Sequence, residues 1–251
     1  MIEAGRRLEW LNARVIEVRV ENFQVKTIVS EASGWTDHAA GQHVDIRLTA
    51  PDGYQAQRSY SIANAPGDGQ RVGITVQRVD NGEVSPFLLD ELRVGDTIEL
   101  RGPIGGYFTW EPGDGGPLLL LAGGSGVVPL MCMLRARAKA GDLTPVTLLY
   151  SSRSDRHIIY REELDRLAAA GDGFTLVHTL THERPERWIG ETGLIDRPML
   201  ERHGPDRGAN PQSFVCGPTP FVEAIANHLV ALGYPGDRIK TERFGPSGDV
   251  K

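Results

Sequence analysis

Two short segments in the first half of the chain contain residue types that could do chemistry. The first is RSYS, which places the guanidinium of Arg58 two residues from the phenol of Tyr60 on a predicted strand. The second is GEVS, in which Ser85 is a good N-cap for a short helix, with Pro86 at its first position and Gly95 at its end. Because a helix N-terminus carries unpaired N–H groups, this segment could bind a pyrophosphate.

A glycine-rich segment in the second half, GGSGVVP, lies between an apolar strand and a helix and begins at Gly123. Glycines allow a ligand to approach the backbone, and Pro129 preorganises the first helical turn. The segment departs from the G-x-G-x-x-G fingerprint, because counting from Gly124 places Pro129 at the third glycine position. It also fails as a G-x-S-x-G hydrolase motif around Ser125, since Val127 replaces the second glycine.

Cys216 opens another segment between an apolar strand and a helix, CGPTP. Strand-to-helix turns at the carboxyl edge of a parallel sheet bind ligands, so we expect this turn and GGSG to face one crevice. Cys132 and Cys216 are the only cysteines, too few for an iron–sulfur cluster held by four thiolates. His178 and His182 have helical spacing, but FTLVHTLT alternates like a strand, so no metal site is predicted.

The elements around these motifs differ between the two halves. The first half has short alternating segments punctuated by turn residues, which predicts an antiparallel Greek-key β-barrel interrupted by the helix containing FLLDEL. Its predicted strands are LNARVIEVRVE, FQVKTIVSE, HVDIRLTA, RSYSIANAP, RVGITVQRV and DTIELRG.

The second half alternates apolar strands with amphipathic helices, which predicts an α/β domain with a parallel sheet covered on both faces. The strands LLLLAG, VTLLYSS and SFVCG each precede a helical segment. The Gly- and Pro-rich stretch EPGDGGP separates the two patterns. We therefore predict domains over residues 1–112 and 117–251.

Bulk composition narrows the functional classes. The 251 residues carry a formal net charge of −6, which gives no overall attraction to nucleic acid or anionic lipid. No apolar run reaches the ~18 residues of a membrane helix, and the start of the chain lacks the apolar stretch of a secretory signal. A cytoplasmic protein, without membrane insertion, is expected.

The four motifs RSYS, GEVS, GGSGVVP and CGPTP, in this order, resemble the ferredoxin–NADP reductase family, which includes the reductase components of bacterial oxygenases. The resemblance covers essentially the whole chain, to the final ERFGPSG. It implies that the barrel binds FAD, that the α/β domain binds NAD(P)H, and that a hydride passes from the nicotinamide to the flavin. Electrons would then leave for a separate acceptor.

The resemblance also implies roles for individual residues on the flavin side. Arg58 would contact the FAD pyrophosphate, Tyr60 would pack against the isoalloxazine, and Ser61 would hydrogen-bond near the flavin N5. Phe244 would shield the flavin as the family's C-terminal aromatic residue. The remaining expected FAD contacts are Ser59, Gly82, Val84 and Ser85.

On the nicotinamide side, the resemblance implies a cradle for the dinucleotide formed by the glycine turn, Gly123, Gly124, Ser125 and Gly126, and Pro218 is a further expected cofactor contact. Cys216 and Gly217 would lie beside the nicotinamide ring, and Glu242 would be an acid near the reacting centre. Ser61, Cys216 and Glu242 are thus the expected catalytic residues.

The coenzyme and the acceptor are less strongly specified. Ser152 and Arg153 follow the second strand of the α/β domain, where related enzymes often bind a 2′-phosphate, and Arg184 could assist from the next strand. A guanidinium offers fixed paired donors to a phosphate, so NADPH is favoured and NADH stays possible. The acceptor could be a ferredoxin, a flavodoxin, an oxygenase component or a small molecule.

Two alternative functions stay open. One is an α/β hydrolase that uses Ser125 as its nucleophile, which the missing glycine disfavours. The other is an electron-transfer or regulatory subunit that holds FAD and reacts poorly with NAD(P)H.

Overall fold

The computed structural model describes residues 8–245, which form two six-stranded sheets. The first sheet is antiparallel and has the strand order β4-β3-β6-β1-β2-β5. Its two ends approach each other where Ile62 bridges Ile74, so the sheet curls into a barrel. The strands are β1 (Leu11–Asn22), β2 (Val25–Ala32), β3 (His43–Thr49), β4 (Gln55–Ser61), β5 (Arg71–Gln77) and β6 (Thr97–Ile104).

The barrel follows from the alternating pattern of its strands, whose inward residues form one apolar cluster. Ile28, Ile46 and Leu100 are among the fully buried side chains of that cluster. The predicted Greek-key barrel is confirmed. The strand predicted to begin at Arg58 begins earlier, at Gln55, and ends at Ser61, after which the chain turns away.

The short helix of the barrel, α1 (Val84–Asp90), differs from its predicted form in its ends. Its N-cap is Glu83, so the prediction of Ser85 as N-cap and Pro86 as first helical residue is wrong. The reason is that the buried Ser85 Oγ accepts a hydrogen bond from Val79 N at 3.0 Å, which holds the preceding turn. Gly95 lies beyond the helix and does not end it.

The second sheet is parallel, with the strand order β10-β9-β8-β7-β11-β12. Its strands are β7 (Leu118–Gly123), β8 (Val146–Ser154), β9 (Phe174–Glu183), β10 (Glu191–Thr192), β11 (Gln212–Pro218) and β12 (Ile239–Phe244). The helices around it are α2 (Val127–Ala140), α3 (Arg161–Ala169), α4 (Arg197–His203) and α5 (Thr219–Ala231).

The parallel sheet has apolar clusters on both faces, which explains its nearly continuous apolar strands. All six residues of β7 are buried. The chain runs from β7 to β8 on one side and later returns to place β11 on the other side. The predicted α/β domain is confirmed, and the crevice expected at such a switch point lies between the ends of β7 and β11.

Three elements of this half were not identified from the sequence: β10, α4 and β12. Helix α4 carries a readable start signal, because Asp196 accepts a hydrogen bond from Met199 N at 2.9 Å and Pro198 lies in the first turn. His178 and His182 both lie on β9, so their predicted strand conformation is confirmed.

The apolar cores of the two halves meet. The cluster around α2 includes five residues that come from the first half of the chain: Val25, Ala40, Ala63, Phe108 and Trp110. Residues 111–117 connect the barrel to β7, and the division into residues 1–112 and 117–251 stays a prediction. Residues 1–7 and 246–251 lie outside the described part.

Within residues 8–245, no helix has both the length and the apolar character needed to cross a membrane.

Candidate functional site

The edge strand β4 presents its polar side chains on two opposite faces, because side chains alternate along a strand. On one face, Ser59 Oγ donates to Asp45 Oδ1 at 2.7 Å, and Arg101 Nη2 donates to Asp45 Oδ2 at 2.7 Å. Arg58 and Tyr60 belong to the other face. The Ser59 hydroxyl is therefore bound within the protein, which leaves Arg58 and Tyr60 as the neighbouring side chains able to meet a ligand.

Asp45 fixes this arrangement electrostatically. Burial acts to raise its pKa, but hydrogen bonds from Arg101 and Ser59 hold the pKa of the carboxyl below its usual value. Asp45 thus stays ionised at neutral pH and binds β4 through Ser59, on the face opposite Arg58 and Tyr60. Sequence reasoning missed Asp45, because its partner Arg101 lies on β6, far away in the chain.

Arg58 and Tyr60 lie close enough to influence each other. Burial raises the pKa of Tyr60 to about 12, and the positive charge of Arg58 acts in the opposite direction. The Arg58 guanidinium donates to the Gln57 carbonyl oxygen at 2.6 Å and is exposed to solvent, so it is accessible to an anion. Ser61 ends the strand, half-buried and paired in register with His43.

The segment GEVS lies near Arg58. The Glu83 carboxylate accepts a hydrogen bond from Tyr54 Oη at 2.8 Å, and both Glu83 and Arg58 influence the pKa of Tyr54. Gly82 and Val84 flank Glu83 at the start of α1. Ser85 is buried with its hydroxyl occupied by Val79 N, so its side chain serves the turn.

The glycine turn of the α/β lobe, residues 123–126, depends on having no side chains. It connects β7 to α2 through a short 3₁₀ helix. A Cβ added to Gly126 would stand 2.0 Å from the Cys216 carbonyl oxygen, far inside contact distance. Gly124 has φ +56°, and a Cβ there would point into open space, next to Ser125. The turn is thus tight against β11 and open toward the crevice.

The end of β11 completes this crevice. Cys216 is paired in register with Ala122 of β7, and Gly217 follows it. The Phe221 ring, from the first turn of α5, lies over both strands: added Cβ atoms would approach ring carbons to 3.0 Å at Gly123 and 2.8 Å at Gly217. Phe221 was not predicted, and its only sequence signal is its position just after CGPTP. Pro218 is exposed beside it.

The structure brings together two of the predicted catalytic residues. Cys216 and Glu242 are register partners on β11 and β12. Burial and the nearby Glu242 charge raise the pKa of the Cys216 thiol well above its usual value, so the thiol stays neutral. Burial raises the pKa of Glu242 to about 7, and its Oε2 is buried with no hydrogen-bond partner among residues 8–245. Phe244, two residues on, is half-buried against the α2 core.

The residues predicted to bind a 2′-phosphate lie at the carboxyl ends of β8 and β9. Ser152 is paired with Leu180, so Arg153 and Arg184 follow at the same edge of the sheet, both exposed. The Ser152 hydroxyl is buried without a partner among the described residues.

Positive charge is concentrated at this edge beyond the predicted residues. Burial lowers the pKa of His157, and the charges of Arg156 and Arg153 lower it further. The Arg156 guanidinium carbon lies 5.3 Å from the Phe23 ring centroid, so this arginine contacts a side chain of the barrel half. Arg156 Nη2 also lies 3.6 Å from Glu183 Oε2, so part of this charge is already compensated, and Arg153 and Arg184 are the arginines here that could favour an anion.

Comparison with known proteins gives two domain matches. Residues 16–109 match the Oxidoreductase FAD-binding domain, and residues 120–227 match the Oxidoreductase NAD-binding domain. The ferredoxin–NADP reductase B of Sorangium cellulosum is 36% identical over 210 residues, which cover 82% of this chain and 84% of that protein. The chain belongs to the ferredoxin–NADP reductase family. FAD and a nicotinamide dinucleotide, the expected cofactors, are those of the two matched domains.

Other members of the ferredoxin–NADP reductase family extend the comparison. The glycine betaine monooxygenase reductase subunit of Pseudomonas aeruginosa is 35% identical over 247 residues, covering 95% of this chain. The chain spans 66% of the length of that relative.

Two solved structures share the fold. The FAD/NAD-binding domain of the Vibrio cholerae nitric oxide dioxygenase has 28% identity and a TM-score of 0.84, over 94% of this chain and 99% of that one. The Amycolatopsis cytochrome P450 reductase has 27% identity and a TM-score of 0.84, over 99% of this chain and 74% of that one.

Proposed function

We propose that this member of the family is an NADPH-dependent flavoprotein reductase that passes electrons to a separate acceptor. The observation that carries the proposal is the set of residues that meet at the switch point of the parallel sheet. There the glycine turn, the neutral thiol of Cys216 and the carboxyl of Glu242 converge, and Glu242 Oε2 has no hydrogen-bond partner among residues 8–245. The barrel supplies Arg58 and Tyr60 on an exposed strand edge.

The residues fit the two cofactors. Gly124 opens the turn toward ligand, and a side chain at Gly126 would clash with β11, so the turn can offer its backbone to a dinucleotide. The exposed guanidinium of Arg58 suits a pyrophosphate. Glu242 Oε2 is buried without a hydrogen-bond partner in the described part of the chain, and such an oxygen is costly unless another group, such as a ligand, satisfies it.

In this proposal the chain binds and orients, and the cofactor supplies the redox chemistry. When bound, FAD accepts a hydride from a dihydronicotinamide and releases electrons one at a time. Arg58 holds the pyrophosphate, with the backbone of Ser59, Gly82, Val84 and Ser85. Tyr60 packs against the ring system, and Ser61 donates a hydrogen bond to it.

On the nicotinamide side, the small neutral Cys216 leaves room for the ring without adding charge. Glu242, with a pKa of about 7, can hold or release a proton near the working pH. The cradle of the dinucleotide is formed by Gly123, Gly124, Ser125 and Gly126, with Gly217 beside the nicotinamide ring and Pro218 next to it. Phe244 covers the flavin.

The proposed acceptor is another protein. Two of the similar proteins are, by name, the reductase subunit of a monooxygenase and a reductase of a cytochrome P450. The two cysteines of this chain are too few to hold a [2Fe–2S] cluster through four thiolates, so a cluster in the electron path would lie outside these 251 residues. A ferredoxin, a flavodoxin or an oxygenase component would serve.

Stopped-flow reduction of the FAD-loaded protein by NADPH and by NADH tests the activity. We expect rapid bleaching of the flavin by NADPH and slower bleaching by NADH. Flavin that binds but is bleached by neither donor would favour the electron-transfer or regulatory subunit. A protein that takes up no FAD would contradict the proposal altogether.

The coenzyme preference rests on the cationic edge formed by Arg153 and Arg184. Arg153→Ala should lower the kcat/KM for NADPH about tenfold and leave that for NADH nearly unchanged, because a charge-assisted hydrogen bond to phosphate contributes about 1.5 kcal/mol. Arg197→Ala, at the start of α4, is the control. Equal losses for both coenzymes would contradict the 2′-phosphate assignment.

A further inference from the structure

One face of α2 is bonded to the barrel segment that directly follows Ser61. Cys132, Arg135 and Lys139 lie on the same face, at helical spacing. Cys132 Sγ donates to the Asn64 carbonyl oxygen at 3.0 Å, and Lys139 Nζ donates to the Pro66 carbonyl oxygen at 2.9 Å. The segment after the predicted flavin-contacting serine is therefore attached to the helix that begins at the glycine turn.

Arg135 is the centre of this contact. Its Nη1 donates to the Ala63 carbonyl oxygen at 2.7 Å, across the two lobes. Its Nε and Nη2 donate to the Glu163 carboxylate at 2.9 and 2.6 Å, which fixes the guanidinium in its plane. The side chain is only 16% exposed, and its guanidinium carbon lies 4.7 Å from the Tyr160 ring centroid.

Tyr160 makes a second cross-lobe contact beside it. The residue has φ +59°, a left-handed conformation that is rare for residues other than glycine. Its ring is buried, and its hydroxyl shares a hydrogen bond with Thr75 Oγ1 of β5. Thr75 Oγ1 is in turn 2.7 Å from Thr27 Oγ1, which donates to Glu21 at 2.6 Å. Such unusual backbone persists where the surroundings require it, often at functional sites.

We propose that Arg135 and Tyr160 are positioning residues that set the alignment between the nicotinamide crevice and the flavin face of the barrel. Ala63 lies two residues after Ser61, and Arg135 lies about 14 Å along α2 from Gly126, since each helical residue adds about 1.5 Å. The flavin face of the barrel and the nicotinamide crevice, which we call the two half-sites, are thus joined by a short path of rigid elements. This inference rests on the proposed function, because it assigns Ser61 and the glycine turn to the two cofactors.

A separate set of contacts keeps the lobes attached. Lys240 Nζ donates to the Thr109 carbonyl oxygen at 2.8 Å, and Tyr107 Oη donates to the Ile239 carbonyl oxygen at 3.2 Å. Loss of the Arg135 and Tyr160 contacts should therefore shift one half-site against the other without separating the lobes.

The chain offers a matched control for each positioning residue. Arg137 is also on α2 and is buried, but it donates to the Thr144 carbonyl oxygen and to Asp172, both within its own lobe. Tyr150 is also fully buried, and its hydroxyl accepts from Ile159 N at 3.1 Å within its own lobe.

The test compares Arg135→Met and Tyr160→Phe with Arg137→Met and Tyr150→Phe, all as FAD-loaded proteins. The rate of flavin reduction at saturating NADPH should fall about tenfold or more in Arg135→Met and severalfold in Tyr160→Phe, because a misplacement of about 1 Å can already slow a reaction between held reactants up to about 100-fold. NADP⁺ affinity should not change. The charge-transfer absorbance on adding NADP⁺ should fall, and amide hydrogen exchange in residues 63–68 should accelerate.

The Arg137 and Tyr150 variants should keep the wild-type rate and absorbance, even where their thermal stability falls. Arg135→Lys should restore part of the rate. If Arg135→Met does not fold, Tyr160→Phe and Arg135→Lys decide the question. Wild-type rates and exchange in these variants, or an equal loss in Arg137→Met, would overturn the inference. A wild-type protein that NADPH fails to reduce would instead count against the proposed function.

Discussion

The two half-sites of this protein are built on opposite principles. The barrel side uses side chains that project from an exposed edge strand, with Arg58 open to solvent and Tyr60 beside it. The α/β side depends on the lack of side chains, because Gly126 and Gly217 lie where any Cβ would clash. The barrel half-site would recognise its ligand through side chains that a mutation can remove. The α/β half-site requires positions without a side chain, so a mutation there adds atoms where there is no room.

Because of this difference, mutations in the barrel half-site should affect mainly ligand binding, and mutations in the α/β half-site should affect mainly folding stability. A residue such as Arg58, with no packing role, can be lost at little cost to folding. A glycine under van der Waals contact with a neighbouring strand cannot be replaced without moving that strand. The same kind of mutation should therefore have different consequences in the two lobes.

The largest effect is expected at Gly126. Gly126→Ala should lower the free energy of unfolding by about 3 kcal/mol, because the new Cβ would stand 2.0 Å from the Cys216 carbonyl oxygen. Chemical denaturation of the apoprotein measures this. Gly236→Ala is the control, since a Cβ there meets no atom within 4 Å, and its effect should stay within about 0.5 kcal/mol. Equal stability of both variants would remove the contrast between the lobes.

A smaller effect, on binding alone, is expected at Arg58. Arg58→Ala should raise the Kd for FAD about 10- to 100-fold, because charge-assisted hydrogen bonds contribute about 1.5–3 kcal/mol. The free energy of unfolding of the apoprotein should change by less than about 0.5 kcal/mol. Fluorescence titration with FAD measures the affinity, and Arg71→Ala on the exposed edge of β5 is the control. A loss of stability without a loss of affinity would reverse the assignment.

Taken per pH unit, the smallest effect is a pH dependence at Glu242. Its folded pKa of about 7 lies above the usual 4.5, so the unfolded chain loses its proton first. The stabilising contribution of the neutral carboxyl is complete below about pH 4.5 and is lost as the pH rises to about 7. Relative to Glu242→Gln, the wild type should lose on the order of 3 kcal/mol across this window, since one pKa unit corresponds to about 1.4 kcal/mol.

Denaturation curves at several pH values compare the two proteins. Glu223→Gln, an exposed acid on α5, is the control and should follow the wild type. A difference between wild type and Glu242→Gln that does not vary with pH would show that the carboxyl is already satisfied.

The sequence predicts the architecture well, because barrel and parallel-sheet patterns depend on local periodicity. It also predicts that Cys216 belongs to the crevice, since the turn after an apolar strand is readable from neighbours in the chain. The sequence does not predict the role of a residue when that role depends on contacts with residues outside the local pattern. Ser85 was expected as an N-cap, but Val79 N takes its hydroxyl. The roles of Asp45 and Phe221 depend on strand and helix neighbours that no local pattern encodes.

The shared core has a consequence for engineering. Because Phe108, Trp110 and Ala63 of the barrel belong to the cluster around α2, neither lobe should survive as an independent fragment. A chimaera made to change the coenzyme or acceptor specificity would need to exchange the barrel residues and the α2 residues of this shared cluster together. Exchange of modules at the linker alone would expose apolar surface and invite aggregation.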